Sequence, residues 1–150
     1  MPRLLVVHHS PTPRVAELSA AVLRGARTAE SEGVEVIERA ALEATAQNLL
    51  DADAVIFGTT ANFGYISGAL KHFFDTTFYE TLEQTTVRPF SYWIHGGHDT
   101  TGAEHAMQSI TTGYGFRLAA EPVVFTGGID DAHLERAEEM GASVAWTLTI

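Results

Sequence analysis

The sequence predicts an α/β fold in which a parallel sheet is covered by helices on both faces. Five strand-like apolar stretches alternate along the 150 residues with five segments of helical periodicity. Leu4–Val7 and Val55–Phe57 are continuously apolar, as expected for central strands that are buried on both faces. Because crossovers between parallel strands are right-handed, this alternation places helices on both sides of one sheet. We therefore expect a single α/β domain over residues 1–150.

The elements of the first half follow from apolar spacing and from turn residues. Thr12 is a suitable N-cap and Pro13 suits the first helical position, so a helix begins directly after the first strand. Gly33 ends the connection that follows this helix. In order, the predicted elements are the helix Pro13–Glu30, a short strand over Val34–Ile37, the helix Ala41–Leu50 and the strand Val55–Phe57.

The second half continues the alternation. Ile66, Leu70 and Phe73 with Phe74 form one apolar face of a third helix, and the sequence from Thr101 to Glu104 has the spacing of a capping box that opens a fourth. The predicted elements are the helix containing Ile66–Phe74, the strand Phe90–Ile94, the helix from Thr101 to Tyr114, the strand Val123–Phe125 and a last helix that Asp130 starts.

Composition excludes several classes of protein. The absence of cysteine excludes disulfides, thiolate metal sites and cysteine nucleophiles. The formal net charge of −10 and the scattered positions of the nine Lys and Arg residues argue against a nucleic-acid partner. The apolar stretch near the N-terminus is too short for a signal peptide or a membrane helix, so we expect a cytoplasmic protein without membrane contact.

Unusual residues follow the first, third and fourth strands. After the first strand, hydroxyls, an imidazole and a guanidinium stand at a helix N-terminus, where free backbone N–H groups and the helix dipole favour an anion such as phosphate. The residues concerned are His9, Ser10, Thr12 and Arg14. The alternative is an ordinary N-cap, in which Ser10 and Thr12 satisfy only the backbone.

The other two segments favour a planar ligand. Gly58 to Tyr65 combines backbone amides with the aromatic faces of Phe63 and Tyr65, and Gly96-Gly97 allows close backbone approach. Carboxyl ends of neighbouring parallel strands meet at one edge of a sheet, where open α/β folds bind ligands. His95 and His98 lie across this glycine loop without a suitable set of further ligands, so no metal site is predicted.

The three segments resemble those that contact FMN in the flavodoxin-like superfamily, particularly in its flavodoxin family proteins and NAD(P)H-dependent FMN or quinone reductases. The segments are His9–Thr12, Thr59–Lys71 and His95–Asp99, and the middle one is the most specific. The resemblance extends over nearly the whole chain in element order. It implies a flavodoxin-like three-layer α/β/α sandwich whose five-stranded parallel sheet has the order 2-1-3-4-5, the order for which flavodoxin itself is the usual example.

The resemblance also implies which residues hold the cofactor. His9 belongs to the phosphate segment, in which Ser10, Thr12, Arg14 and Val15 would bind the FMN phosphate. Thr60, Ala61, Asn62, Phe63 and Gly64 would contact the isoalloxazine ring, and His95, Gly96, Gly97 and Asp99 would close its other side. Pro13 and Val15 depart from the family's Ser/Thr-x-Thr-Gly-x-Thr pattern, and the lost donors are expected to weaken phosphate binding unless Arg14 pairs with the phosphate.

The implied function is a flavoprotein oxidoreductase that passes electrons from NADPH or NADH through FMN to a quinone or similar small acceptor. No single catalytic residue is assigned. The alternatives are a flavodoxin-type electron carrier that docks on a redox protein, and a module that keeps the fold but binds flavin weakly. The residues 54–74 and 84–98 contain no Asp or Glu, which favours a small acceptor over a docking partner steered by carboxylates. A homo-oligomer is compatible with each alternative.

Overall fold

The computed structural model describes all residues from 1 to 150, and they form seven strands and five α-helices. The strands are β1 (Arg3–His8), β2 (Glu35–Ala40), β3 (Ala54–Asn62), β4 (Tyr65–Ile66), β5 (Pro89–Gly96), β6 (Arg117–Leu118) and β7 (Val123–Thr126). The helices are α1 (Pro13–Arg27), α2 (Ala46–Leu50), α3 (Gly68–Thr81), α4 (Thr101–Tyr114) and α5 (Asp131–Trp146). None of these helices combines the length and apolar character needed to cross a membrane.

The sheet has the predicted order. β2, β1, β3 and β5 lie side by side and parallel, and the last position is shared by β6 and β7, which both pair with β5. Between them the edge is interrupted. Pro122 has no N–H to donate to the sheet, and the Ala120 carbonyl oxygen accepts from the Ser91 hydroxyl at 2.9 Å. Apart from the short antiparallel β4, the arrangement confirms a parallel sheet of order 2-1-3-4-5.

Two hydrophobic cores lie on the two faces of the sheet. Alternate side chains of β1 point to opposite faces, so that Leu4 and Val6 belong to the core under α1 and α5, while Leu5 and Val7 belong to the core under α2, α3 and α4. All four side chains are essentially inaccessible to solvent. This confirms that the continuous apolar run of the first strand marks a strand buried on both faces.

Helices α1 and α5 approach each other closely at two glycines. A methyl group added to Gly25 would lie 1.9 Å from the Glu138 carbonyl oxygen, and one added to Gly141 would lie 2.1 Å from the Val22 carbonyl oxygen. No side chain separates the two backbones at these points. The contact therefore depends on glycine for space rather than for an unusual backbone conformation.

Several predicted boundaries were wrong. The first helix ends at Arg27, because Thr28–Glu32 form a 3₁₀ turn that Gly33 closes with a φ of 88°. The second helix begins at Ala46 rather than Ala41, since the Ala41 N–H donates to the His8 carbonyl oxygen. Ile66 lies in β4, so the third helix begins only at Gly68.

The predicted capping box of the fourth helix was also wrong. The N-cap is Thr100, one residue earlier than predicted, and the Thr101 N–H donates to the Asp99 carboxylate at 2.9 Å. Glu104 accepts a hydrogen bond from the Thr100 hydroxyl at 2.8 Å instead of closing back onto the backbone. The start of α4 is therefore held by Asp99 and Thr100, at the end of one of the predicted ligand segments.

Candidate functional site

The three predicted segments come together at the carboxyl edge of the sheet. His8 at the end of β1 is paired with Gly58 of β3, and Thr60 of β3 is paired with His95 of β5. The His9 N–H donates to the Gly58 carbonyl oxygen at 3.0 Å, so the first segment begins directly against the second. The convergence predicted from strand order is confirmed, whereas the assignment of individual side chains to a cofactor stays a prediction.

The first segment offers backbone donors at the start of α1. The N–H groups of Ser10, Thr12 and Arg14 have no acceptor within the protein. Thr12 does act as N-cap, because its hydroxyl accepts from the Val15 N–H at 3.3 Å, and Pro13 occupies the first turn. The ordinary N-cap therefore accounts for Thr12 alone, and the remaining donors are available to an anion.

Ser10 has a different partner from the one expected of a cap. Its hydroxyl lies 2.8 Å from Nδ1 of His8, and Nε2 of the same imidazole lies 2.7 Å from Oε2 of Glu38 on β2. The His8 side chain is only 11% exposed. His8 lies at the end of β1, and its two partners connect the strand β2 to the candidate phosphate segment.

The side chains of Arg14 and Val15 have partners within the protein. The Arg14 guanidinium donates to the Ile129 carbonyl oxygen at 3.2 Å and lies 3.9 Å from the Glu17 carboxylate. Val15 is buried in the core under α1, and its N–H is taken by Thr12. In this structure Arg14 therefore braces the loop that follows β7, and the compensation expected of it would require its side chain to turn.

The second segment is a β-hairpin rather than an open loop. β3 continues to Asn62 and pairs with β4, leaving Phe63 and Gly64 as the two turn residues. Both have positive φ angles, 51° for Phe63 and 75° for Gly64, as a type I′ turn requires. A bulky residue rarely adopts this conformation, and the Phe63 side chain is fully exposed. Backbone strain and an exposed aromatic ring coincide at the tip of the hairpin.

The hairpin is held from below by α4 and from its base by hydrogen bonds. A methyl group added to Gly102 would lie 1.9 Å from the Gly64 carbonyl oxygen, so the first turn of α4 supports the tip directly. At the base, the Ser67 N–H donates to the Thr59 hydroxyl at 3.0 Å, and the Ser67 hydroxyl caps α3 by accepting from Leu70. The exposed ring therefore projects from a fixed support.

Two buried polar atoms near this edge lack a partner. They are the hydroxyl of Thr60 and the indole Nε1 of Trp93. Trp93 packs under Gly58, where an added methyl group would lie 2.2 Å from the indole ring. A buried polar group without a partner costs free energy, and such groups in native proteins call for an explanation. Thr60 stands beside His95 in the sheet register, within the predicted ring-binding segment.

The third segment is joined to the loop after β7, which sequence reasoning missed. His95 Nε2 lies 2.7 Å from the Gly127 carbonyl oxygen, which can only accept, so Nε2 carries the proton. The Gly127 N–H donates in turn to the Gly96 carbonyl oxygen at 2.9 Å. The signal was present as Gly127-Gly128, which begins two residues after the fifth predicted strand ends at Phe125. This loop forms a fourth side of the edge.

Asp99 and its neighbours complete the third segment. Hydrogen bonds from the Thr101 hydroxyl and then from its backbone N–H hold the pKa of Asp99 below the usual value for an aspartate. Gly96 is buried against Ala61 and Thr100, whereas Gly97 and His98 are exposed. Asp99 is therefore engaged in starting α4, while Gly97 leaves open backbone toward the edge.

The candidate edge is an open surface and not an enclosed cavity. The grooves of the molecule lie elsewhere, such as one of about 280 Å³ between α3 and α4 that Phe74, Phe78 and Tyr114 line. Across the edge, Asn62 to Tyr65 and Gly97 to Asp99 are solvent-exposed. A flat ligand lying between the hairpin and the third segment would thus be covered by parts of both rather than engulfed.

Comparisons with known proteins relate this chain to one family. The profile of a family described as NADPH-dependent FMN reductase matches residues 13–128. A protein of Acidithiobacillus ferrooxidans (strain ATCC 53993 / BNL-5-31) named NAD(P)H dehydrogenase (quinone) is 30% identical over an alignment of 125 residues, and the match covers 67% of this chain. The chain spans 62% of that relative's length.

Solved structures establish the fold over the whole chain. A flavodoxin from the domain Archaea superposes with a TM-score of 0.84 at 16% identity, covering 99% of both chains. A WrbA-like flavodoxin from Agrobacterium tumefaciens gives a TM-score of 0.74 at 20% identity and covers 98% of this chain and 97% of its own. These neighbours confirm the flavodoxin-like fold, and the profile match confirms the resemblance drawn from the three segments. The chain belongs to the NADPH-dependent FMN reductase family.

Proposed function

We propose that the protein binds FMN at the carboxyl edge of its sheet and transfers electrons from NADPH or NADH to a quinone or another small acceptor. The observation that carries the proposal is the convergence, at one edge, of free backbone donors at the start of α1 with the exposed aromatic tip of the hairpin. Family membership and the name of the Acidithiobacillus relative support the reaction class.

The phosphate end of the cofactor would lie at the start of α1. The unpartnered N–H groups of Ser10, Thr12 and Arg14 are hydrogen-bond donors at a helix N-terminus, the usual arrangement for binding a phosphate. His9 lies between β1 and these donors, with its own N–H held by Gly58. Pro13 has no N–H, so the residues present fit a phosphate with one donor fewer than the family pattern supplies.

The ring end would lie between the hairpin and the third segment. Thr60 supplies a hydroxyl without a partner, Asn62 an exposed amide and Phe63 an exposed aromatic face. On the other side, Gly97 has no heavy atom within 4 Å of an added methyl position, which leaves room for a close approach of the ring to the backbone. A planar and partly polar ring fits this combination of surfaces.

FMN, when bound, supplies the group that accepts a hydride from a nicotinamide and gives electrons to the second substrate. The protein's role is to position the nicotinamide and the second substrate. His95 has its Nε2 proton directed to Gly127, which leaves Nδ1 as the nitrogen free to contact a ligand. The residues 54–74 and 84–98 carry no carboxylate to repel an anionic nicotinamide phosphate.

The direct test is a flavin titration followed by anaerobic reduction. FMN fluorescence is measured as protein is added, and the visible flavin absorbance of the complex is then followed with NADPH or NADH as the sole reductant, before and after addition of a soluble quinone. We expect stoichiometric binding, bleaching by a nicotinamide and reoxidation by the quinone. Phe63→Ala is expected to weaken flavin binding, and Tyr79→Ala, which truncates an equally exposed aromatic ring on α3, is the matched control.

Other outcomes would change the assignment. Tight FMN binding without reduction by either nicotinamide would favour an electron carrier that docks on a redox protein. No FMN binding would reject the proposal and leave a module of the same fold. We propose the cytoplasm as the place of action, because the reaction draws on a nicotinamide pool. Light scattering of the same preparation would measure whether the enzyme works as a homo-oligomer.

A further inference from the structure

The contact between His8, Ser10 and Glu38 is not explained by packing alone. A series of short hydrogen bonds runs from Glu38 on β2 through the imidazole of His8 to the hydroxyl of Ser10, with lengths of 2.7 and 2.8 Å. Ser10 is one of the residues whose N–H is free at the candidate phosphate position. The series therefore ends at the anion site on which the proposed function rests.

The direction of each hydrogen bond follows from the chemistry of its partners. A glutamate carboxylate accepts only, so Nε2 of His8 donates its proton to Glu38. In a neutral imidazole the other nitrogen, Nδ1, is then an acceptor, and the Ser10 hydroxyl must donate to it. In that state the oxygen of Ser10 faces the phosphate position with lone pairs only, which a phosphate oxygen would repel.

Protonation of His8 reverses the bond to Ser10. In the imidazolium both nitrogens donate, so the Ser10 oxygen accepts from Nδ1 and its own proton is released for another acceptor. The hydroxyl can then donate to a phosphate oxygen, and the positive charge lies one hydrogen bond away from it. Histidine is the side chain that makes this change near neutral pH.

The charged groups around His8 allow this change. Glu38 on β2 contacts the ring directly, β3 carries no charged side chain, and the ring of Trp93 on β5 lies 6.4 Å away with no titratable group. On β5, His95 is engaged with Gly127. At the first turn of α1, Arg14 and Glu17 lie 3.9 Å from each other. Arg39 is next to Glu38 in sequence and therefore points to the opposite face of β2.

We infer that His8 is a positioning residue for the phosphate of the bound flavin, with Glu38 fixing its ring and His8 setting whether the Ser10 hydroxyl donates to the phosphate. This inference rests on the proposed function, because it requires a phosphate at the start of α1. It adds a contribution that the family's phosphate pattern does not contain, in a chain that has lost one backbone donor of that pattern at Pro13.

The test compares FMN with riboflavin, which lacks the phosphate, at about pH 6 and about pH 8.5, on either side of neutral pH. His8→Gln removes the imidazole while retaining polar atoms, and His72→Gln, which changes an exposed histidine on α3, is the matched control. The phosphate of FMN also titrates at about pH 6. Its contribution cancels when the wild-type affinity is divided by that of His8→Gln at each pH.

We expect the ratio of the wild-type affinity for FMN to that of His8→Gln to differ between the two pH values. A hydrogen bond to a charged group predicts that the wild-type advantage for FMN falls about tenfold between the two pH values. His72→Gln should follow the wild type, and riboflavin should show no such change. Ser10→Ala should abolish the effect of His8→Gln, so the double variant Ser10→Ala with His8→Gln should bind FMN as Ser10→Ala does.

Two results would overturn the inference. If wild type and His8→Gln bind FMN with the same pH dependence, His8 does not act on the phosphate, although the proposed function stands. If neither FMN nor riboflavin binds to the wild type, the proposed function fails and the inference fails with it. Nitrogen NMR of the wild-type histidine rings provides a measurement without substitution: FMN, but not riboflavin, should shift His8 toward the doubly protonated form at constant pH.

Discussion

At the contact between α1 and α5, a methyl group added to Gly141 would lie 2.1 Å from a backbone oxygen, whereas one added to Gly64 or Gly97 at the candidate edge would meet nothing within 4 Å. In the first place glycine lets two helices touch. At the edge, Gly64 provides a positive φ for the hairpin turn, and Gly97 leaves backbone uncovered. The glycine at the helix contact allows close packing, whereas the glycines at the edge leave backbone exposed. Substitutions at the helix contact should therefore change stability, and substitutions at the edge should change ligand binding.

The largest expected effect is at the helix contact. Gly141→Ala should lower the free energy of unfolding by about 3 kcal/mol, because neither backbone can yield without separating α1 from α5. Chemical unfolding measures this, and the FMN affinity of the folded fraction should remain that of the wild type. Gly113→Ala is the control, since it adds a methyl group to helix α4 where nothing lies within 4 Å. It should be neutral or stabilise by up to about 1 kcal/mol.

The second largest effect is expected at Gly102, where the first turn of α4 supports the hairpin tip at the candidate edge. Gly102→Ala should push the Gly64 carbonyl oxygen away and displace the hairpin tip, which lies on the surface and can move more easily than α1 or α5. We expect FMN affinity to fall about tenfold, or about 1.4 kcal/mol, with a smaller loss of stability than Gly141→Ala causes. Gly68→Ala at the start of α3, where an added methyl group meets nothing within 4 Å, is the control. An unfolding loss as large as that of Gly141→Ala would show that the hairpin is part of the rigid core.

A smaller effect is expected from the buried hydroxyl of Tyr114. It donates to the Phe74 carbonyl oxygen at 2.6 Å and lies 2.9 Å from the Thr77 hydroxyl. Tyr114→Phe should cost about 1 kcal/mol of stability at neutral pH and leave flavin affinity unchanged. Chemical unfolding measures the cost, and Tyr79→Phe on the exposed face of α3 should have no effect.

The same residue predicts a pH dependence. Burial raises the pKa of the Tyr114 hydroxyl to about 12, above the usual value of about 10. The folded state therefore keeps a proton that the unfolded state releases, so this contribution is fully present below about pH 10 and is lost as pH rises toward about 12. The wild type should therefore lose its stability advantage over Tyr114→Phe as pH rises above about 10. A constant difference across that range would contradict the assignment.

The smallest expected effect on stability has the opposite sign. Phe63→Asn creates an Asn-Gly turn, which tolerates two positive φ angles, and should raise the free energy of unfolding by about 0.5 kcal/mol. Because the aromatic ring is lost, flavin affinity should fall at the same time. Tyr79→Asn is the matched control and should leave flavin affinity unchanged. Destabilisation by Phe63→Asn would mean that the Phe63 ring stabilises the hairpin despite its exposure.

The order of strands and the convergence of the segments could be predicted because apolar runs and turn residues record them directly. The continuous apolar run Leu4–Val7 is enough to predict a buried strand. The hairpin could not be predicted in this way, because it depends on a positive φ at Phe63, a residue type that rarely adopts one. The tertiary support from Gly102 is equally invisible in local sequence.

The contacts of His8 illustrate a second limit. Ser10 lies beyond the end of β1 at His8, so strand alternation does not specify the contact between these two side chains. Glu38 reaches the ring only because β1 and β2 are parallel in a register that pairs Val6 with Glu38. A crossover of 26 residues, from 9 to 34, separates the two strands, and no local pattern specifies the register after such a connection.

The two outer edges of the sheet have a consequence for the behaviour of the protein at high concentration. An uninterrupted edge strand offers a row of free N–H and C=O groups to a second molecule, which promotes aggregation. Here one edge is divided between β6 and β7 by the segment containing Pro122, and the other, β2, carries Glu35, Glu38 and Arg39. With a formal net charge of −10, these edges disfavour pairing between copies. Transient exposure of the sheet during folding is therefore less hazardous than its buried central strands would otherwise make it.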